Sequence, residues 1–361
     1  MIFYIEKEIK NSPQVKKILK KFPKAQTLEI DNYKNIFDKK ISWEIWENIF
    51  VLAKLKSNPI TSAPPKYWHN WNAYFFKTSL NCIFDCSYCF LKWAFKNPYP
   101  VLFLNYEDIQ SEIEKKILSI KEEQKNWKNF DFSSEACLSD SEFCSKKIEN
   151  FSIFPKNQIR FYSSDYSDIQ GFDFMSDFNE NFIKFFEKFD NVMMETRTKS
   201  WNIENFLEMA KNWFVPKNLE IAFSLNPQDL IEKYEKWTAS LESRFIAINK
   251  LLEKWFKVWL RFLPLLPVQN YEEIYKDFLE EVKKRIDMEK IFSVFATWLL
   301  YTKEDYKKIL AKNPELDILY QLQDWWDWFF REREKVRKNF YKIFEEFHEK
   351  TIICLDEKNL I

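Results

Sequence analysis

The chain has 361 residues, with 55 Lys and Arg against 55 Asp and Glu, so its formal charge is zero. That balance excludes a uniformly basic nucleic-acid coat and leaves any DNA contact to a local patch. A composition of 46% hydrophobic and 19% aromatic residues excludes a disordered chain. No segment reaches eighteen uncharged apolar residues, which excludes a spanning helix. The opening Met1-Ile2-Phe3-Tyr4-Ile5-Glu6-Lys7 lacks the basic stretch, apolar core and cleavage site of an export signal, which predicts a cytoplasmic, reducing compartment and no membrane partner.

Residues 12–57 predict short helices and turns, among them Pro13-Gln14-Val15-Lys16-Lys17-Ile18-Leu19-Lys20-Lys21, whose apolar spacing suits one buried face. Residues 1–72 are therefore expected to form an N-terminal helical appendage. From residue 73 strand-like runs alternate with helical ones. Residues 73–80 make an aromatic strand, 107–124 a helix, and 191–198 and 219–226 apolar strands. Residues 240–254 make an amphipathic helix, 256–265 a strand, 271–286 a helix and 291–300 a strand. Such alternation predicts an α/β parallel sheet or barrel over 73–300. Residues 329–350 are expected as one long outer helix within a C-terminal helical segment, 301–361. The alternating charges of Arg331-Glu332-Arg333-Glu334-Lys335-Val336-Arg337-Lys338 predict a solvated helix face rather than a phosphate track.

Glycine is nearly missing. Average usage predicts roughly 25 glycines in such a chain. There is one, Gly171, beside fifteen tryptophans. Tight turns and helix C-caps need positive φ, which bulky residues reach only with strain. The expectation is that the gene uses UGA for glycine and that UGA has been translated as tryptophan; an AT-biased genome explains the 37 phenylalanines but not the absent glycine.

Six cysteines in a reducing compartment serve as ligands, nucleophiles or core residues rather than as disulfides. Three are clustered in Cys82-Ile83-Phe84-Asp85-Cys86-Ser87-Tyr88-Cys89, a C-x3-C-x2-C spacing directly after a predicted strand. A structural zinc would need a fourth ligand, and His69 is the one histidine nearby. Three thiolates can instead hold three irons of a 4Fe–4S cluster and leave the fourth iron open to a non-protein ligand. With His69 and His348 as the only histidines, histidine acid–base catalysis is not expected to be central.

This spacing, with an aromatic Tyr88 before the third cysteine, resembles the radical S-adenosylmethionine (SAM) enzymes. Asn81 to Lys92 is similar to the cluster loop of the spore photoproduct lyase family. So are Phe22-Pro23-Lys24-Ala25, Val101-Leu102-Phe103-Leu104-Asn105, Arg197-Thr198-Lys199, Ser224-Leu225-Asn226-Pro227, the run from Glu235 to Arg244, and Arg261-Phe262-Leu263-Pro264, in order along the chain. Trp93, Trp213, Trp237, Trp255, Trp259 and Trp298 fall where that family carries glycine.

The resemblance implies a partial (β/α)6-type TIM barrel, a 4Fe–4S cluster on Cys82, Cys86 and Cys89, and SAM as cofactor. It implies that Lys199 binds the SAM carboxylate, that Ser167, Ser224 and Asn226 bind its polar parts, and that Tyr88 lies against adenine. It further implies carbon–carbon lyase chemistry on a thymine photoproduct, with damaged DNA and an electron donor such as flavodoxin or ferredoxin as partners; it leaves the oligomeric state open. Two positions depart from the family: its relay tyrosine is Phe90 here, and its hydrogen-donor cysteine is Asp165 in a gapless match. Cys137 is an alternative donor position, and Cys144 stands near it; Cys354 is expected in the core. The departures keep two other readings open: a radical SAM enzyme of this scaffold on another nucleic-acid or small substrate, and a non-enzymatic metal-stabilised binding protein.

Overall fold

Strands and helices alternate along the chain because apolar runs of strand length are punctuated by polar caps. The computed structural model describes residues 1–41, 48–63, 72–128, 158–163, 166–325, 329–348 and 351–353. In chain order the strands are β1 (Ile2–Glu6), β2 (Gln26–Ile30), β3 (Ile49–Ala53), β4 (Ile60–Ser62), β5 (Ala73–Phe76), β6 (Ser79–Leu80), β7 (Asp85–Cys86), β8 (Val101–Phe103) and β9 (Ile159–Ser163). They continue as β10 (Val192–Thr198), β11 (Leu219–Ser224), β12 (Glu235–Lys236), β13 (Lys257–Leu265), β14 (Ser293–Trp298), β15 (Leu300–Thr302), β16 (Leu322–Trp325), β17 (Phe329–Glu332) and β18 (Thr351–Ile353).

The main sheet has the order β18-β14-β13-β11-β10-β9-β5-β4 among the described residues. All neighbours are parallel except β4 against β5. Helices Phe178–Phe186, Glu204–Lys211, Leu241–Glu253 and Tyr271–Arg285 are the crossovers that parallel pairing demands. This is the α/β partial barrel expected from the alternation, with β5, β9, β10, β11, β13 and β14 as its six strands and β18 added at the edge.

Local sequence explains the boundaries. Pro13–Lys21 starts on Ser12, whose hydroxyl accepts from Val15 N at 3.3 Å, with Pro13 in the first turn, where its missing N–H costs nothing. Leu241–Glu253 starts on Ser240, which accepts from Ser243 N at 3.2 Å. Side chains of β9, β10, β11 and β13 alternate between two buried environments. Ile159 and Phe161 face the outer helices, where Phe161 meets Phe186 with ring centroids 5.5 Å apart, while Arg160 and Tyr162 belong to the other face.

The N-terminal segment departs from expectation. Beyond the helix at Pro13–Lys21, it forms a sheet of order β2-β1-β3-β8-β6, parallel apart from β6. The reason is the wholly buried run Ile49–Ala53, a strand flanked on both sides. This sheet shares one apolar core with the barrel: Phe50 of β3 meets Phe172 edge-on at 6.4 Å. The long C-terminal helix is also corrected. Phe329–Glu332 pairs as β17, and the helix covers only Glu334–Glu345. The charged run there is no solvated face throughout, since Arg331, Glu332 and Arg337 are buried and Glu332 accepts from Leu299 N at 2.7 Å. No described helix is long and apolar enough to cross a membrane.

Candidate active site

The cluster loop leaves the sheet at Asn81, which holds a left-handed φ of 62°. Asparagine tolerates that conformation, and its buried Nδ2 donates to Asn97 O at 2.8 Å and Tyr99 O at 3.1 Å. The loop is then fastened from several sides. β7, which contains Cys86, pairs antiparallel with β12, matching Cys86 to Glu235. Ser87 N donates to Tyr234 O at 2.8 Å, Cys89 N to Cys86 O at 3.0 Å, and Tyr301 Oη to Tyr88 O at 2.6 Å. From the opposite side Gly171 admits the loop: a Cβ there would stand 2.9 Å from Ile83 Cδ1.

Cys82, Cys86 and Cys89 line one cavity of about 220 Å³. The rest of its wall comes from the C-terminal ends of parallel strands, where barrel enzymes place their chemistry. Ser163 ends β9 and Ser167 and Asp168 follow it; Thr198 ends β10 and Lys199 follows; Ser224 ends β11. Burial pushes all three thiols above the usual thiol range, an effect Lys199 opposes at Cys86 and Cys89.

Asp168 organises the strand ends. Its Oδ2 accepts from Thr198 Oγ1 at 3.0 Å and Lys199 N at 2.7 Å, and its Oδ1 accepts from Gly171 N at 3.1 Å. Lys199 therefore starts from a backbone fixed by a neighbouring strand end. Its Nζ stands 5.9 Å from the centre of the Tyr88 ring. Ser167 shares a short hydrogen bond with Ser79.

Glu235 is the second organiser. It accepts from Tyr88 Oη, from Asn226 Nδ2 at 2.9 Å and from Arg244 Nη2 at 2.7 Å. Burial works to raise its pKa, but Lys199, Arg244 and these donors hold it below the usual carboxylate range. Ionic groups run from the cavity wall into the barrel interior. Glu195 pairs with Arg261 and, at 3.0 Å, with Arg197; Arg160 pairs with Glu220. Phe75 and Tyr162, ring centroids 5.4 Å apart, form an aromatic stretch of wall beside Glu195 and Arg197.

The expected residues thus divide. The three cysteines, Ser167, Ser224 and Lys199 converge on the cavity, as does Phe90. Tyr88 and Asn226 stand behind it, with their polar atoms engaged at Glu235; Asn226 Oδ1 also accepts from Tyr275 Oη at 3.0 Å. Asp165, Cys137, Cys144, Cys354 and His69 lie outside the described residues. No role for Asp168, Glu235, Arg244, Glu195 or Tyr162 follows from the sequence. Glu235 and Arg244 bound one of the resembling runs, which was the only signal pointing to them.

Among the described residues, no three His, Cys, Asp or Glu side chains stand close enough to share a single metal ion. The thiols instead stand around one cavity, as ligands to different irons of a cluster do, and there are three of them, one fewer than a cubane has irons. The donor set fits a 4Fe–4S cluster with one open iron.

A three-thiolate loop on the C-terminal rim of a parallel partial barrel is the arrangement that radical SAM enzymes use to hold a 4Fe–4S cluster, and the chain resembles that class. Comparison then narrows it. A family model described as spore photoproduct lyase matches residues 154–318, so the chain resembles that family of lyases. A spore photoproduct lyase mutant solved with bound AdoMet and dinucleoside spore photoproduct superposes with a TM-score of 0.72 at 17% identity, covering 98% of this chain and 97% of that one. The complex of spore photoproduct lyase with dinucleoside spore photoproduct gives 0.71 with the same identity and coverage. At that identity the structures show a shared fold. No curated protein matches the chain by sequence.

Proposed function

We propose that the chain is a DNA repair lyase acting on a thymine photoproduct, with Cys82, Cys86 and Cys89 as the cluster ligands. One observation carries this reading: the three thiols share a single cavity wall with Lys199, Ser167 and Ser224. When bound, the cluster and SAM supply a 5′-deoxyadenosyl radical after reduction by a donor such as flavodoxin or ferredoxin.

The chain's own residues would do the rest. Lys199 neutralises the SAM carboxylate, and the hydroxyls of Ser167 and Ser224 orient the polar part of the same ligand. Tyr88, held by Glu235, keeps the cysteine loop at one height above the barrel. Phe75 and Tyr162 offer an aromatic wall to a base taken out of the stack, and Arg197 lies beside them with a charge for its phosphate. The similar structures bind a dinucleoside photoproduct according to their descriptions, which supports the same substrate class here.

Phe90 favours a second reading. It lines the cavity and carries no O–H, so the family's tyrosine relay is absent at that position. Tyr162 supplies the one phenol on the described wall. The alternative is the same radical chemistry on another nucleic-acid or small substrate that needs no relay at residue 90.

Anaerobic reconstitution tests both. A brown protein holding about four irons that forms 5′-deoxyadenosine supports the radical chemistry. Release of thymine nucleoside from added dinucleoside spore photoproduct supports the repair reading. Cleavage of SAM with no such release sinks it in favour of the alternative, and a chain that binds no cluster sinks both.

A further inference from the structure

We infer that the native protein carries glycine at positions 213, 237 and 255, because its gene reads UGA as glycine. Backbone geometry carries this, independently of the proposed function. Six described residues other than glycine have positive φ: Asn81, Asn191, Asn270, Trp213, Trp237 and Trp255. Asparagine visits the left-handed region routinely, since its short side chain bonds locally. Tryptophan does not: its Cβ crowds the following carbonyl, and a bulky residue there is an outlier. Yet half of the left-handed positions are tryptophan.

Two of them close helices in the pattern that most requires glycine. After Leu241–Glu253, Trp255 N donates to Leu252 O at 3.1 Å and Phe256 N to Leu251 O at 3.2 Å. After Glu204–Lys211, Trp213 N donates to Ala210 O at 3.0 Å and Phe214 N to Met209 O at 3.1 Å. Each is a Schellman closure with tryptophan at the position that takes the left-handed turn, where glycine is the usual occupant. The third, Trp237, turns the chain just after β12, the strand that fixes Cys86.

Burial does not justify the indoles. Trp213 is 95% exposed and Trp255 78%, so little apolar area offsets the backbone strain there, and Trp237, at 55%, still leaves half of its ring in solvent. All three are positions chosen by φ alone, and they coincide with a chain that holds one glycine and fifteen tryptophans. Deletion of an indole at 237 also opens the wall of the second cavity it shares with Gly171 and Thr238, beside the cluster loop.

Tandem mass spectrometry of the protein isolated from its own host, read against the codons of its gene, decides the matter. Peptides spanning 213, 237 and 255 are expected to show glycine opposite UGA codons. Tryptophan, or any third residue, at any of these positions overturns the inference. A recombinant chain carrying Trp213→Gly, Trp237→Gly and Trp255→Gly is expected to melt several degrees above the chain with tryptophan, and an equal or lower melting point removes its geometric ground.

Discussion

Arg244 Nη2 and Glu235 Oε2 meet at 2.7 Å beneath the cysteine loop, both wholly buried. Three further guanidinium protons are used, by Ser224 O at 2.7 Å, Thr238 Oγ1 at 2.7 Å and Ala239 O at 3.0 Å. Removing one partner of such a pair leaves an uncompensated charge in the interior. Arg244→Met is therefore expected to lower stability by about 3–5 kcal/mol and to reduce iron bound per chain, because Glu235 also holds Tyr88. Urea unfolding and iron analysis measure both, and a loss of stability without loss of iron would separate the pair from the loop.

Lys199 differs from that pair in acting through its side chain toward the cavity while its backbone stays with Asp168. Lys199→Ala is expected to weaken SAM binding by roughly 10- to 100-fold, the 1.5–3 kcal/mol of a hydrogen bond to a charged group. Iron content should not change. Equilibrium binding to the reconstituted protein checks this, and unchanged affinity would remove Lys199 from the SAM site.

Gly171 has no side chain because the cysteine loop occupies the space. A methyl there would stand 2.9 Å from Ile83 Cδ1 and 3.3 Å from Phe84 Cζ. Gly171→Ala is expected to cost about 1–2 kcal/mol, since the end of Ile83 can shift. Adding Ile83→Val removes the nearest atom and should recover most of the loss; thermal unfolding of the single and double variants measures it.

Glu332 gives a pH dependence. Burial pushes its pKa up to about 8, against hydrogen bonds and the nearby Arg331 and Arg337. The folded state thus holds this proton more tightly than the unfolded chain, whose value is near 4.5. Its contribution is complete below pH 4.5 and is lost as pH rises to 8, at most about 5 kcal/mol. Glu332→Gln should flatten the profile in that window. Denaturant unfolding at pH 5 and 8.5 checks the sign, and equal stability of the parent chain at both values contradicts it.

The strands over 191–198, 219–226 and 256–265 were legible because each carries apolar residues at strand length between polar breaks, and they appear as Val192–Thr198, Leu219–Ser224 and Lys257–Leu265, with Glu195, Glu220 and Arg261 turned into the ionic interior. Residues 329–332 were not: their charges alternate like a helix face, yet pairing with β15 and β16 buries Arg331 and Glu332. Nor were the N-terminal strands, because parallel partners distant in sequence leave no periodic trace.

By itself the sequence determined that Cys82, Cys86 and Cys89 stand together, since three thiols within eight residues constrain one another through local chain geometry, and all three line one cavity. It also exposed the glycine deficit, which composition alone reveals. Only tertiary structure decided what supports the loop. Glu235, paired with Arg244, reaches Tyr88 and Cys86 across some 150 residues of chain, and Asp168 reaches Lys199 across a strand crossover, because strand ends far apart in sequence come together when a parallel sheet curves into a barrel.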